Sequence, residues 1–179
     1  SLTAYEAAYR AYAALHEAWA ERGSAYQIAL IDHGLARTIL AMGRAKGPAP
    51  TTPVEDFDPR VLLERARATY EDYHDARAVA HVNLLLGDLA LVEARVDEAL
   101  DLWAASIHTM EAQEEPVGLA DGLGRCYALL DTEPGAEVAQ RLRDVVSRVR
   151  TRAFSARMPN RLFRLLRWGV WLAPLLAVF

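Results

Sequence analysis

Cysteine and strand-forming patterns are scarce in this sequence of 179 residues. The single cysteine, Cys126, excludes an internal disulfide framework and a metal cluster built on several cysteines. No sustained alternation of apolar and polar residues marks a half-buried strand, and no phosphate-binding loop or dinucleotide fingerprint occurs. No basic-then-apolar leader opens the chain, so we expect a cytoplasmic protein. These absences argue against a β-rich fold, a disulfide scaffold and a nucleotide-dependent enzyme.

The composition is that of a helical globular domain. Apolar residues make up 53% and charged residues 25% of the chain, which favours a packed core over disorder. Alanine and leucine, both strong helix formers, together supply about a third of the residues. We therefore predict an all-α fold.

Charge is divided unevenly along the chain. The formal net charge of −4 is too small to indicate a nucleic-acid-binding protein. Residues 141–167, which we call the arginine arm, hold nine basic residues and one acid, Asp144, so the arm carries +8 and the remainder −12. The nine are Arg141, Arg143, Arg148, Arg150, Arg152, Arg157, Arg161, Arg164 and Arg167. Such a split predicts that the arm meets either the acidic body of a chain or an anionic surface.

Capping and breaking residues divide the chain into about seven helices. Asp58 followed by Pro59 is typical of an N-cap and a first helical position, and Asp97 is a further N-cap candidate. We predict helices near residues 3–22, 25–42, 59–73, 76–94, 97–112 and 116–130, and a seventh from 134 into the arginine arm. A proline-rich loop is predicted over 43–57, and an apolar C-terminal helix over 158–179.

A spacing pattern marks the central helices. It consists of Leu86, Gly87, Ala90, Ala99 and Trp103. At these intervals a glycine lets two helices approach closely, a small residue fills the contact, and an aromatic side chain fills the space between helix pairs. The pattern therefore predicts a helical hairpin.

Parts of this pattern recur elsewhere, as in a repeat protein. Ala66 and Tyr70 repeat its second half earlier in the chain, whereas Leu123 and Gly124 repeat its first half later in the chain. A weaker echo lies at Gly34. The recurrence predicts that several helix pairs have the same construction.

In these spacings the chain resembles the tetratricopeptide-repeat (TPR) family, and most of all the degenerate repeats of bacterial regulators and adaptors. The junction from Asp75 to Ala80 matches the Asp-x-Arg-x-x-Ala pattern of those repeats. Asn83 and Ser106 depart from the family pattern, which places tryptophan and alanine there. The resemblance covers about residues 24–142 and implies antiparallel helix pairs stacked as a right-handed solenoid. We predict that this helical-repeat domain occupies residues 1–157 and is followed by the separate helix 158–179.

The resemblance also implies a concave groove that binds a partner protein, as a peptide or a helix. Carried over by position, the groove residues are Ile31, Leu35, His81, Leu84, Asp88, Asp121, Arg125 and Ala128. The set is half apolar and contains carboxylates, so it favours a peptide with apolar anchors and some positive charge. The expected function is that of an interaction adaptor. The alternative is a ligand-sensing regulatory domain of a larger transcription or signalling protein.

Candidate catalytic and metal-binding groups are few. Arg10 and His16 have the Arg-x5-His spacing of some helical ribonucleases, and His74, His81 and Asp88 recur every seven residues, as ligands on one helical stripe would. A predicted helix break near residue 75 separates the first of these three from the other two. The lone cysteine falls in a packed helix and is interpreted as a buried, inert thiol. We expect no enzyme activity, no metal and no cofactor.

The C-terminal segment combines arginine with a long apolar run. The residues expected to dock it are Arg157, Arg161, Arg164, Arg167, Phe163, Trp168, Trp171 and Leu172. As a helix, residues 162–179 would span about 27 Å, close to the thickness of a bilayer core, with tryptophans suited to its interface. The segment is predicted either to associate with the inner face of an anionic membrane or to pack on protein. On protein it would cap the last helix pair, fill its own groove, or join two copies.

Overall fold

Seven α-helices form the regular structure of residues 2–46 and 57–155, which are the residues that the computed structural model describes. They are α1 (Leu2–Trp19), α2 (Ala25–Lys46), α3 (Pro59–Asp72), α4 (Ala76–Val92), α5 (Val96–Ala112), α6 (Pro116–Leu130) and α7 (Ala136–Ser155). The described residues contain no strand. The predicted all-α fold is therefore confirmed for them. The predicted apolar helix 158–179 and all of the predicted docking residues, including Arg157, lie outside the described residues. Residues 47–56 of the predicted loop also lie outside them.

Several helix boundaries follow local capping chemistry, and three predicted positions are wrong. The first predicted helix, 3–22, is too long, because α1 ends at Trp19. Asp58 is the N-cap of α3, where its Oδ1 accepts a hydrogen bond of 2.8 Å from the Arg60 amide. The predicted end of α2 is wrong, because the helix continues through Gly43 to Lys46. A glycine near the end of a long helix costs only about 1 kcal/mol, too little to end it. The prediction for Asp97 is also wrong, because this residue lies inside the first turn of α5.

Three helix connections share one backbone turn. His74, Ala94 and Glu114 all adopt left-handed conformations, with φ of 56°, 59° and 53°, and they are evenly spaced along the chain. After α3 the Asp75 amide donates to the Tyr70 carbonyl at 2.9 Å, and equivalent bonds follow α4 and α5. This is the Schellman arrangement, which satisfies the last carbonyls of a helix and turns the chain sharply. Three successive helices therefore end by the same mechanism.

Contacts within the chain define two compact units, residues 1–99 and 100–179, with the boundary inside α5. In the first unit α2 packs against both α1 and α3, and α3 packs against α4. The α2–α3 pair is antiparallel, because Tyr26 near the start of α2 contacts Tyr73 just beyond the end of α3, whereas Asp32 contacts Arg65 in the middle of α3. The core of this unit includes Leu35, Leu63, Ala66, Tyr70, Val82 and Leu84.

A close side-chain contact in the first unit joins α1 and α2. A Cβ atom built on the buried Gly34 would lie 2.4 Å from Cε1 and 2.6 Å from Cζ of Tyr12. Non-bonded carbon atoms do not approach so closely, so only glycine fits beneath this ring in its present position. Gly34, which matches the repeat pattern only weakly, thus lies at a close contact between two helices.

Replacing Gly34 by Ala should destabilise the protein by up to about 2 kcal/mol, because displacing the Tyr12 ring costs about 1–3 kcal/mol and the higher helix propensity of alanine offsets about 1 kcal/mol of it. The measurement is urea unfolding followed by circular dichroism. In a Tyr12→Ala background the same replacement should cost nothing, since alanine favours the helix once the ring is gone. Gly124→Ala is the matched control. The described residues leave the space beside Gly124 open, so alanine there should be neutral or stabilising.

In the second unit the described helices are the remainder of α5, α6 and α7, and α6 packs against α7. The largest buried side chains include Trp103, Ile107, Met110 and Leu142. The expectation that Gly124 permits a close helix approach, as Gly87 was expected to, is wrong, because no described atom outside the local helix lies within 4 Å of a Cβ built there. Among the described residues, no neighbouring helix packs closely against Gly124.

Candidate functional site

A buried ion-pair cluster joins the three helices α1, α2 and α3 of the first unit. Asp32 on α2 has a side chain that is 0% exposed, and Arg65 on α3 holds it in a bidentate pair, with 2.6 Å from Nε to Oδ2 and 2.7 Å from Nη2 to Oδ1. The same Nη2 lies 2.9 Å from Nε2 of His16 on α1. The His16 ring in turn meets Phe57 edge to face, with 5.2 Å between ring centroids.

The arrangement of this cluster is suited to fixing helices and not to proton transfer. Hydrogen bonding to Asp32 raises the pKa of the Arg65 guanidinium above its ordinary value, although partial burial opposes the shift. Both Asp32 oxygens accept bonds from that guanidinium, so no oxygen of the carboxylate is left as an unoccupied base. Arg10 does not join the cluster. Six residues along a helix turn through about 600°, so Arg10 and His16 lie about 120° apart around α1.

A second cluster in the first unit is aromatic. The Tyr26 hydroxyl donates a 2.6 Å hydrogen bond to Oδ2 of Asp75, the N-cap of α4. This bond, followed by that from the Ala78 amide, holds the pKa of the Asp75 carboxyl below its usual range. Tyr70 lies edge to face with Tyr26, 5.4 Å away between centroids. The fully buried Tyr70 hydroxyl has no hydrogen-bond partner among the described residues.

His33 lies beside this aromatic cluster and stays neutral at physiological pH. Burial, followed by the charges of Arg37 and His81, lowers the pKa of His33 to about 4. Its ring faces Tyr70 edge on, 6.3 Å away between centroids. The histidine therefore acts as an uncharged packing group, and its protonation opposes the folded state.

The predicted groove residues divide into core and surface positions. Leu35 and Leu84 are 0% and 1% exposed, so a partner cannot contact them in this structure, and Asp88 is also buried. Ile31 and His81 are half-buried. These five residues lie in the first unit, on α2 and α4. Burial thus removes three of them from any open surface.

The other three predicted groove residues share a face of α6 in the second unit. Asp121 and Ala128 are exposed, and Arg125 is half-buried. Arg125 Nη1 lies 2.6 Å from Asp121 Oδ1, an ion pair between residues one turn apart on the helix. Val117, which is 76% exposed, extends the same face by a further turn. This face is available to a partner.

A cleft of about 200 Å³ lies between α5 and α7, and we call it the α5–α7 cleft. Apolar side chains form its floor, and four charged side chains from α5 and α7 form its rim. The floor and walls are Leu100, Trp103, Ala104, Cys126, Leu142 and Val145, and the rim is Asp101, Arg141, Asp144 and Arg148. Burial raises the pKa of the Cys126 thiol to about 11, which agrees with the interpretation of this residue as a buried and inert thiol.

The described residues contain neither a metal-binding cluster nor a helix that could span a membrane. No group of three or more described His, Cys, Asp or Glu side chains is arranged to hold a metal ion. Of the three candidates with seven-residue spacing, His74 lies in the turn before α4, and His81 and Asp88 lie on α4 itself. Within the described ranges no helix is both long enough and apolar enough to cross a bilayer.

Several residues that organise the two units have no local signal in the sequence. Arg65 is one of many arginines, and nothing near it in the chain indicates that its partner is Asp32 on another helix. No polar role was predicted for Tyr26 or Tyr70. A tyrosine that lies beside an N-cap aspartate in the folded chain can donate a hydrogen bond to its carboxylate, as Tyr26 does to Asp75. Arg141 and Arg148 were assigned only to the arginine arm.

Comparison of the chain with protein-family models, with curated proteins and with solved structures finds no match.

Proposed function

We propose that this protein is an interaction module in which TPR-like helix pairs stack as a right-handed solenoid and bind a peptide or helix of a partner protein. The observation that carries the proposal is the repeated Schellman turn at His74, Ala94 and Glu114. Successive helices that end in the same turn at equal intervals are expected in a helical-repeat protein, in which each unit repeats the construction of the one before. Such proteins mostly serve as binding surfaces.

The helix spacing is compatible with this proposal but longer than in standard repeats. A standard TPR unit has about 34 residues. The interval from the start of α3 at Pro59 to the start of α5 at Val96 exceeds that length, and so does the interval from Ala76 on α4 to Pro116 on α6. The additional residues lie in the helices. α4 and α5 have 17 residues each, so the two helices without their connections already reach the length of a whole standard unit.

The proposed binding surface uses the accessible members of the predicted groove. In the second unit these are Asp121, Arg125 and Ala128 on α6, and the first unit retains Ile31 and His81. The Asp121 side chain is 58% exposed, and a surface ion pair such as the one it makes with Arg125 is weak, so a basic residue of a peptide with apolar anchors can compete for this carboxylate. We propose such a peptide as the ligand of the α6 surface.

The test is selection of peptides of about 15 residues from a random phage-displayed library, followed by fluorescence anisotropy with the enriched peptide. We expect apolar peptides rich in lysine and arginine. Asp121→Lys should weaken their binding about tenfold, which corresponds to about 1.4 kcal/mol. Asp131→Lys is the matched control, since it makes the same charge change at an exposed residue that ends α6. Failure to enrich any such peptide, or equal losses in both variants, contradicts the proposal.

The C-terminal segment is proposed to regulate or anchor this module. Its arginines and apolar run suit either the acidic body of a chain or the anionic inner face of a membrane. A chain ending at Arg157 distinguishes the two in the same assay. Tighter peptide binding by the shortened chain indicates a segment that occupies the groove. Unchanged binding, together with loss of flotation on anionic vesicles, indicates a membrane anchor.

A further inference from the structure

Helix α1 has an apolar outer side. On its inner side the Tyr12 ring lies over Gly34 of α2, and His16 Nε2 lies 3.2 Å from an oxygen of Asp32 on the same helix. About 150° around α1 from Tyr12 and His16 lies a row of exposed alanines. They are Ala7, Ala11, Ala14 and Ala18. The side of a surface helix that faces water is normally polar, so α1 departs from the usual pattern.

Two large side chains extend this apolar surface. Leu15 and Trp19 are 43% and 37% exposed and lie along one edge of the row of alanines. We call the six residues together the α1 outer face. They cover about 140° of the helix circumference, and no polar side chain of α1 lies between them. Exposed apolar residues are usually scattered singly, whereas a contiguous apolar surface is typical of a contact site.

The spacing of the alanines is that of a contact between two helices. With Ala4, which is also exposed, they follow one another at intervals of three, four, three and four residues. This is the heptad spacing of the residues that join the helices of a coiled coil. Small side chains at such positions let two helix axes approach to about 8 Å, the short end of the usual range. The partner of this face should therefore be another helix.

The charges beside the face indicate that this helix belongs to a second copy of the chain. Arg10 and Glu17 are both exposed, and they lie on the edge opposite Leu15, one heptad apart. If two copies of α1 pack antiparallel, Ala11 of one copy meets Ala14 of the other. In this register Arg10 of each copy lies beside Glu17 of the other, which gives two equal ion pairs.

Neither charge finds an equivalent partner within its own helix. Ion pairs on a helix surface join residues three or four apart, whereas Arg10 and Glu17 are seven apart. Arg10 Nε makes only a long contact of 3.4 Å with the carbonyl oxygen of Glu6. A parallel pair of α1 helices would place Arg10 and Glu17 beside the apolar edge of the other copy. The charge pattern therefore favours the antiparallel pair.

We propose that two copies of this chain associate through the α1 outer face, as an antiparallel pair of α1 helices flanked by two Arg10–Glu17 ion pairs. One helix face is small beside a standard interface of about 1,600 Å², so we expect a dissociation constant on the order of 10 μM. The inference does not depend on the function proposed above, because none of the predicted groove residues lies on α1. It also gives the copies a contact that does not use the C-terminal segment.

The first test exchanges the charges and measures sedimentation equilibrium of the full chain at low salt. Arg10→Glu and Glu17→Arg each replace both ion pairs by like-charge contacts, so each should weaken the dimer at least about tenfold. The double variant Arg10→Glu/Glu17→Arg restores both pairs with the charges exchanged and should associate as wild type does. An equimolar mixture of the two single variants should also associate, because each supplies the charge that the other lacks.

The second test places a charge within the face. Ala11→Glu should prevent association at concentrations up to about 200 μM, because the pairing would bury its carboxylate. Ala105→Glu is the matched control, since it makes the same change at an exposed alanine within α5. It should change the dissociation constant less than twofold. Circular dichroism checks that every variant is folded, which is expected because the replaced side chains are exposed.

Several results would overturn the inference. If wild type remains a monomer up to about 200 μM, the face serves a different partner. If association persists in Ala11→Glu, or is lost equally in Ala105→Glu, another surface joins the copies. If neither the double variant nor the mixture regains association, Arg10 and Glu17 do not pair between copies. None of these results bears on peptide binding at α6, which is measured separately.

Discussion

Replacing Arg65 by Met is expected to destabilise the protein by about 3 kcal/mol, because it leaves the Asp32 carboxylate buried without its cationic partner. The Asp32 side chain is 0% exposed, and both its oxygens accept bonds from this one guanidinium. The estimate is at the lower end of the range for broken buried pairs, since His16 Nε2 also lies 3.2 Å from Asp32 Oδ1. Urea unfolding at neutral pH, followed by circular dichroism, gives the change in free energy of unfolding.

The opposite replacement should be much milder, and this asymmetry is the sharper test. The Arg65 side chain is 48% exposed, so after Asp32→Asn its charge can turn toward water. Asp32→Asn should therefore cost only about 1 kcal/mol. In the Arg65→Met background, Asp32→Asn should restore most of the lost stability by removing the stranded charge. If the two single variants are equally damaging, or if the double variant is no more stable than Arg65→Met, the buried charge is not the cause.

Acidification from pH 6.5 to pH 4 is expected to lower the free energy of unfolding by on the order of 3 kcal/mol through His33 alone. In the folded state the pKa of His33 is about 4, whereas an unfolded histidine has a pKa of about 6.5. Between these values the unfolded chain binds a proton that the folded chain does not. Stability from this residue is thus complete above pH 6.5, falls as the pH drops, and is fully lost below pH 4.

The measurement is a series of urea unfolding curves between pH 4 and pH 8 for wild type and His33→Gln. The variant should show a flatter dependence on pH over this interval, whatever its absolute stability. His108→Gln is the control, because His108 is exposed on α5 and its replacement should leave the slope unchanged. Below pH 4 further loss is expected from Asp75, whose pKa is held low by the Tyr26 hydroxyl. Equal slopes in wild type and His33→Gln would show that His33 protonates freely in the folded protein.

Local features of the sequence were sufficient to predict the helices. Pro59 and Pro116 begin α3 and α6, and Asp58 and Asp75 cap α3 and α4 through hydrogen bonds to nearby amides. Each signal acts over three or four residues, so the information needed lies beside it in the chain. The missed end of α2 at Gly43 shows the limit of this reasoning. A single glycine is a weak stop signal, and neighbouring helix formers outweigh it.

Contacts between helices were predicted less well. Gly34 matched the repeat pattern only weakly, yet its lack of a side chain makes room for Tyr12. Gly124 matched the pattern better, but it faces open space among the described residues. A glycine in a helix has the same local appearance in both cases. Whether another helix approaches it depends on the crossing point, which single-sequence spacing does not supply.

The sequence by itself determined the all-helical class, most helix limits in the described residues, and the concentration of arginine toward the end of the chain. The tertiary structure alone decided that Arg65 neutralises Asp32, that Leu35 and Leu84 belong to the core, and that Arg148 stands at the mouth of an apolar cleft. The physical reason is the distance along the chain over which each interaction acts. Helix formation and capping depend on neighbours within one turn, whereas an ion pair, burial or a cleft depends on side chains that only the packing of separate helices brings together.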